Sequence, residues 1–161
     1  MIQSSVHPIQ DISICFQPSP KEMMEIDSLC FSDAWSEKDY REMQKQSNFY
    51  NWVLKTSDKT QVGIVTFQSV PPEMQILRLA IKPDWRKQGL GQFMLEQLEI
   101  VANSKNIKSL WIEVSSLNKA ARALYYKQGY KEKGIRKNYF RNPLDDALLL
   151  KKILKVNDNK S

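Results

Sequence analysis

The side chains whose types and spacing could carry chemistry fall in three stretches of this 161-residue chain: residues 77–92, 109–114 and 118–130. In the first, LRLAIKPDWRKQGLGQ, an apolar run ends at a turn, and Arg86-Lys87-Gln88-Gly89-Leu90-Gly91 opens a segment with helical periodicity. Two glycines let the backbone come close to a ligand, and the free N–H groups of a helix start attract phosphate. Arg86 and Lys87 add positive charge beside them. In the second, Leu110, Ile112 and Val114 alternate with Trp111 and Glu113, which puts a carboxylate inside an otherwise apolar strand. Such a group is costly there unless it has a task, and burial would tune it toward work as a general base. In the third, Asn118 is a good N-cap, and Ala120, Ala121, Leu124 and Tyr125 gather on one side of a helix. Tyr125 offers a hydroxyl, although tyrosines at this spacing read first as core.

Other chemistries lack their residues. His7 is the single histidine and Cys15 and Cys30 are the two cysteines, with no CxxC spacing. A His-based triad and a His-rich zinc site are excluded, no metal is expected, and acid–base work falls to carboxylates, Tyr, Lys or Cys. Nothing matches GxxxxGK[ST]. The dinucleotide fingerprint GxGxxG fails at Met94, where its third glycine belongs, so a dinucleotide-binding module is a weak alternative. The charge is uneven: residues 1–100 carry 10 Lys+Arg against 13 Asp+Glu, and residues 101–161 carry 14 against 5. That balance suits an anionic partner such as nucleic acid, a membrane surface or a phosphate-rich cofactor. No zinc, RNP or helix-turn-helix signature supports direct nucleic-acid binding. No apolar run approaches the ~20 residues that cross a bilayer. The start of the chain lacks the basic and apolar pattern of a secretory signal, so a cytoplasmic protein with reduced thiols is expected.

Around these stretches the pattern predicts one domain, residues 1–161, with a disordered tail at 156–161 and a mobile leader that holds His7. Strands are expected at 11–16, 51–56, 61–68, 74–81, 109–114, 130–137 and 146–154. Helices are expected at 20–31, from 36 onward, at 89–103 and at 118–128. The first opens with a capping box at Ser19-Pro20-Lys21-Glu22, the second starts at Ser36 by similar logic, and the last closes at Gly129. This order describes a mixed α/β or α+β sheet.

Taken together, RxxGxG opening a helix after a strand, then WIEV, SSLNKAARALY and xxxGY, resemble the acetyl-CoA-dependent N-acetyltransferases of the GNAT superfamily. Within it the chain is most similar to the RimI-type peptide-alanine acetyltransferases that modify a small-subunit ribosomal protein. The resemblance covers roughly residues 20–154 and includes the FSDAWS stretch at residues 31–36, RKNYF at 136–140 and Asp145-Asp146-Ala147. It implies an α+β fold with a central, mostly antiparallel twisted sheet flanked by helices, and acetyl-CoA as co-substrate. By the same resemblance, Leu79, Ala80 and Ile81 pair with the pantetheine arm, and the backbone of Lys87, Gln88, Gly89, Leu90, Gly91 and Gln92 cradles the pyrophosphate. Asn118 contacts the cofactor, Glu113 is the general base and Tyr125 the general acid. Trp35, Asn138 and Tyr139 shape the peptide groove. The implied acceptor is the N-terminal amine of a ribosomal protein or a similar basic peptide; a small amine such as a polyamine or an antibiotic is the rival substrate. Between Pro20 and Glu42 seven acids stand against three bases, which leads us to expect an acidic groove, closed from the far side by Asp145 and Asp146.

Overall fold

In the computed structural model, which describes residues 11–141 and 143–155, the apolar alternation becomes a seven-stranded sheet with helices on both faces. The chain runs β1 (Ser13–Cys15), α1 (Pro20–Cys30), α2 (Glu37–Gln44), β2 (Phe49–Lys55), β3 (Gln61–Val70), β4 (Glu73–Ile81) and α3 (Leu90–Ser104). It continues through β5 (Ser109–Ser115), α4 (Lys119–Lys127), β6 (Lys131–Phe140) and β7 (Asp145–Ile153). The strands lie in the order β1-β2-β3-β4-β5-β7-β6, and every neighbouring pair is antiparallel except β4–β5. This is the α+β architecture expected above, with the expected order of elements. His7 and the tail at 156–161 lie outside the described residues.

Successive strand residues point to opposite faces, so one sheet serves two cores. Val53, Ile64 and Ala80 pack under α1 and α2 with Met23, Ile26 and Tyr40. Their neighbours Trp52, Leu54, Val65 and Ile81 pack on the other side with Leu90, Met94, Leu98 and Val101 of α3 and Tyr125 of α4. Each fully buried aliphatic side chain contributes about 1.5–3 kcal/mol, enough to pin α3 and α4 against the sheet.

Helix ends follow local chemistry, with one correction. Ser19 Oγ accepts from Glu22 N–H at 3.2 Å and Pro20 sits in the first turn of α1. The Glu22 carboxylate, however, reaches Lys55 at 3.0 Å instead of returning to the cap. The reciprocal capping box is at Ser36 and Asp39, which opens α2. β6 is longer than expected and runs through Phe140, so Asn138 and Tyr139 lie on a strand, within the register shift between Arg136 and Phe140.

Candidate active site

The site begins where two parallel strands part. β4 and β5 pair from Glu73↔Ser109 to Ile76↔Ile112, yet β4 continues to Ile81 and β5 to Ser115. The cause is visible on the other edge of β4. Thr66 pairs with Arg78 and Phe67 with Ile76, which leaves Leu77 as an extra residue. A bulge of this kind bends its strand. Beyond it, Leu79, Ala80 and Ile81 pair with β3 on one edge only. A cavity of about 440 Å³ opens in the gap, walled by Leu77–Leu79 of the bent strand, residues 112–115, Asn118, Ala121 and Tyr125, the connection between α1 and α2, and part of the β6–β7 hairpin.

After β4 the chain makes the turn that starts α3. Arg86 Nε donates to the Ile81 carbonyl at 2.9 Å and ties the turn back to the strand. Lys87 and Gly89 both have positive φ, at 62° and 79°. Gly89 is the N-cap of α3 and supplies no side-chain acceptor to the first N–H groups. Left-handed residues before an uncapped helix start form the kind of concavity that takes an anion. Glycine is favoured at position 89 by its left-handed conformation. Gly91 has a different reason: a Cβ there would lie 2.8 Å from Leu124 Cδ2, so this residue brings α3 close to α4.

Glu113 projects from β5 past the point of separation and is 14% exposed, with Oε1 3.2 Å from Nε of Arg136, itself 60% exposed. Tyr125 is positioned by both ends of its helix. Asn118 Oδ1 accepts from Ala121 N–H at 3.1 Å and starts α4. At the other end Gly129 N–H donates to Tyr126 O and Tyr130 N–H to Tyr125 O, at 3.0 and 2.9 Å. This is a Schellman closure, with Gly129 at φ 95°. The accompanying apolar contact is the edge-on packing of Tyr130 against Tyr125, with ring centroids 5.3 Å apart. Burial pushes the Tyr125 hydroxyl well above its ordinary value. It therefore carries its proton at neutral pH and suits a donor better than a base.

Of the residues singled out from sequence, Leu79, Glu113, Asn118, Tyr125, Trp35 and Tyr139 all line the cavity. Lys87–Gln92 are gathered at the start of α3, outside that lining. Ala80 and Ile81 are largely buried in the two cores. Asn138 is not among the lining residues; it has φ 53°, and its N–H donates to Asp146 Oδ1 at 2.9 Å.

The expected acidic groove does not form. Glu22 pairs with Lys55, Glu37 with Arg41 and Glu42 with Lys45, while Asp39 caps its helix and Asp27 is buried. Among the acids of that segment only Asp33 lines the cavity, and it is paired with Arg78 at 3.3 Å. Asp145 and Asp146 do not close the groove either. Asp145 accepts from the Ser115 and Ser116 hydroxyls and from Leu117 N–H, which holds the turn after β5 and lowers its pKa to about 2.

Sequence reasoning missed a second charged cluster. Asp27 is fully buried, accepts from the Tyr40 hydroxyl and from Trp35 N–H, and lies 3.7 Å from Arg78. Burial raises the Asp27 carboxyl above its ordinary range, against the opposing pull of Tyr40 and Arg78. The available signal was Arg78 within LRLAI, a charge in an apolar strand like Glu113 in WIEV.

A bent strand with one free edge, an uncapped helix start and a cavity holding a carboxylate and a protonated tyrosine are features that would suit a phosphate-bearing donor. Residues 21–130 match the acetyltransferase (GNAT) family, and the chain belongs to it. It is an acetyl-CoA-dependent N-acetyltransferase. Over 118 residues the chain is 34% identical to the ribosomal protein bS18-alanine N-acetyltransferase of Escherichia coli strain K12, a match covering 72% of this chain and 78% of that one. The crystal structure of the ribosomal-protein-S18-alanine N-acetyltransferase from Escherichia coli superposes with a TM-score of 0.82 at 27% identity, over 93% of this chain and 98% of that one. A GNAT family acetyltransferase from Elizabethkingia anophelis, with acetyl-CoA bound, shares the fold at TM-score 0.71 and 21% identity, over 89% and 98% of the two chains. No helix among the described residues is long and apolar enough to cross a membrane.

Proposed function

We propose that this protein acetylates the N-terminal α-amine of a ribosomal protein, the terminal alanine of bS18 or a close equivalent, and that it works in the cytoplasm. The observation that carries the chemistry is that Glu113 and Tyr125 both line the cavity where β4 and β5 separate. The acceptor follows from the likeness to the Escherichia coli enzyme.

Each proposed role has a physical reason. The free edge of Leu79, Ala80 and Ile81 can take the amide-bearing pantetheine arm as an added strand. The N–H groups of residues 87–92 suit the pyrophosphate, with Lys87 beside them. Asn118 spends its Oδ1 on capping and keeps its amide nitrogen for a ligand. Bound there, acetyl-CoA supplies an activated thioester carbonyl. An α-ammonium has a pKa near ~8, so Glu113, directly or through water, needs only to accept one proton to free the lone pair for attack. The departing sulfur needs one proton, and Tyr125 holds one. The ammonium's first proton goes to Glu113 and from there to solvent. As the N–C bond forms and the C–S bond breaks, Tyr125's proton goes to the sulfur, and the second proton that the nitrogen sheds on becoming an amide replaces it on Tyr125 through water. Trp35 and Tyr139 form apolar walls for the acceptor, and Asn138 shapes the hairpin through its bond to Asp146.

The test uses the full chain, acetyl-CoA, a ten-residue Ala-Arg-rich peptide, its Ala-Glu-rich counterpart and spermidine. Mass spectrometry should find one acetyl group on the α-amine of the first peptide. Because the acids of residues 20–42 are mostly paired or buried, salt should change kcat/KM only weakly. Preferred acetylation of spermidine would overturn the peptide reading in favour of a small amine.

A further inference from the structure

A buried polar row crosses the sheet beneath α1 and α2. Asn51 stands opposite Thr66, and Thr66 stands opposite Arg78. All three are buried, and the Thr66 hydroxyl donates to Asn51 Oδ1 at 2.6 Å. Arg78 ends the row at the cavity and is only 7% exposed. A guanidinium so buried is costly unless its donors and faces are met. Here Nη2 donates to the Asp33 carbonyl at 2.9 Å, and Nη1 to the Asp33 carboxylate at 3.3 Å. Its Cζ lies over the Phe31 and Trp35 rings, 4.3 and 4.4 Å from their centroids. Behind it, Asp27 Oδ1 is buried, has no hydrogen-bond partner among the described residues, and lies 3.7 Å from Nη1. The other Asp27 oxygen takes Trp35 N–H and the Tyr40 hydroxyl.

Phe31, Asp33 and Trp35 belong to a connection without helix or strand of its own, and all three line the cavity. One side chain thus gathers three wall residues of an otherwise irregular segment. Lysine cannot do this, because an ammonium has neither a flat face for two rings nor a fork for two oxygens of one residue.

We propose that Arg78 is the positioning residue for the acceptor: it fixes the wall made by Phe31, Asp33 and Trp35 and so selects a small first residue. This rests on the peptide acetylation proposed above. With the wall fixed, two aromatic rings bound the space beside the attacking amine. With Arg78 removed, the wall opens and discrimination against larger first residues falls.

Arg78→Met keeps the aliphatic stem and removes the guanidinium. The measurements are KM for otherwise identical peptides starting with Ala, Val or Met, KM for acetyl-CoA, and amide hydrogen exchange of residues 31–36 in the full chain without substrates. Losing charged hydrogen bonds of this kind corresponds to roughly a 10-fold effect or more. We expect that increase in exchange and in KM for the Ala peptide, a narrowed preference for Ala over Val and Met, and an acetyl-CoA KM that stays put. Arg78→Lys should not restore the preference. Asp33→Asn, at an exposed carboxylate, serves if Arg78→Met does not fold, and should move exchange and KM in the same direction by less. Unchanged exchange overturns the proposal, as does faster exchange with an unaltered order of peptides or equal rises in both KM values. A wild-type enzyme that binds acetyl-CoA but acetylates none of the peptides refutes the acceptor reading instead; the exchange measurement, which needs no acceptor, tells the two failures apart.

Discussion

Replacing Glu113 with Gln separates a catalytic carboxylate from one that only holds the sheet together. Its visible partner is Arg136, 3.2 Å away and 60% exposed, so the guanidinium is solvated with or without Glu113. Deleting such a pair costs about 0–1 kcal/mol, which for a domain of this size lowers Tm by no more than about 2–4 °C. A lost general base costs roughly 10²–10⁴ in rate, or about 2.7–5.5 kcal/mol of barrier. The two scales do not overlap. Thermal unfolding, calorimetric titration with acetyl-CoA and initial rates of peptide acetylation across pH should therefore dissociate. We expect near-native Tm and acetyl-CoA affinity, kcat down by about 10²-fold or more, and loss of the limb of the kcat/KM profile that reports the base. A folded variant that binds acetyl-CoA and works within a few-fold of wild type would refute the base assignment. The reaction would then rest on positioning alone.

Three further outcomes follow from single features of the structure. Tyr130 has a buried hydroxyl without a hydrogen-bond partner among the described residues, so Tyr130→Phe should raise stability by about 1 kcal/mol, as removal of an unsatisfied polar group does; a clear loss in urea unfolding would show that the hydroxyl is bonded. Gly91→Val should cost about 1–3 kcal/mol through its clash with Leu124, and should cost less in a Leu124→Ala background; additive losses would place the strain elsewhere. The Asp145 carboxyl is lowered from 3.8 to about 2 by the Ser115 and Ser116 hydroxyls, so its stabilisation is complete above pH ~4 and is lost as pH falls toward 2. The stability gap between wild type and Asp145→Asn should shrink through that window, and a gap independent of pH would contradict the assignment.

Much of the fold is legible in the sequence because local rules and tertiary packing agree. The helical face of Leu90, Met94, Leu98 and Val101 is the face that α3 buries. Gly129 closes α4 as expected, and Ser19 and Ser36 cap the helices they precede. Disagreement appears where a side chain has two possible partners. Glu22 satisfies the sequence rule for a capping box, but Lys55 on β2, distant in sequence, holds its carboxylate. The acidic count over residues 20–42 misleads for the same reason. Charge in a segment says nothing about which acids are already paired, and here five of the seven are engaged by Lys55, Arg41, Lys45, Arg78 or the cap of α2 while Asp27 is buried.

The site itself was half legible, and the missing half follows from what a strand pattern can express. A charge in an apolar strand marks a place where the fold tolerates a penalty, and both Glu113 and Arg78 carry that mark. Glu113 stands within a motif formed with its neighbours, whereas in the strand of Arg78 the family resemblance bears on the backbone of Leu79–Ile81 alone. What no linear pattern shows is the bulge at Leu77. That one extra residue ends the pairing with β5 at Ile76 and frees the edge of Leu79–Ile81. With Arg78 turned toward the connection between α1 and α2, and Glu113 on the other strand past the split, the two sides of the cavity have opposite duties. On the proposed reading, β4 offers a backbone edge to the acetyl donor and an arginine to the acceptor wall, and β5 offers the carboxylate between them. A single irregularity in one ladder thus accompanies the opening of the cavity and, on that reading, divides it between two substrates.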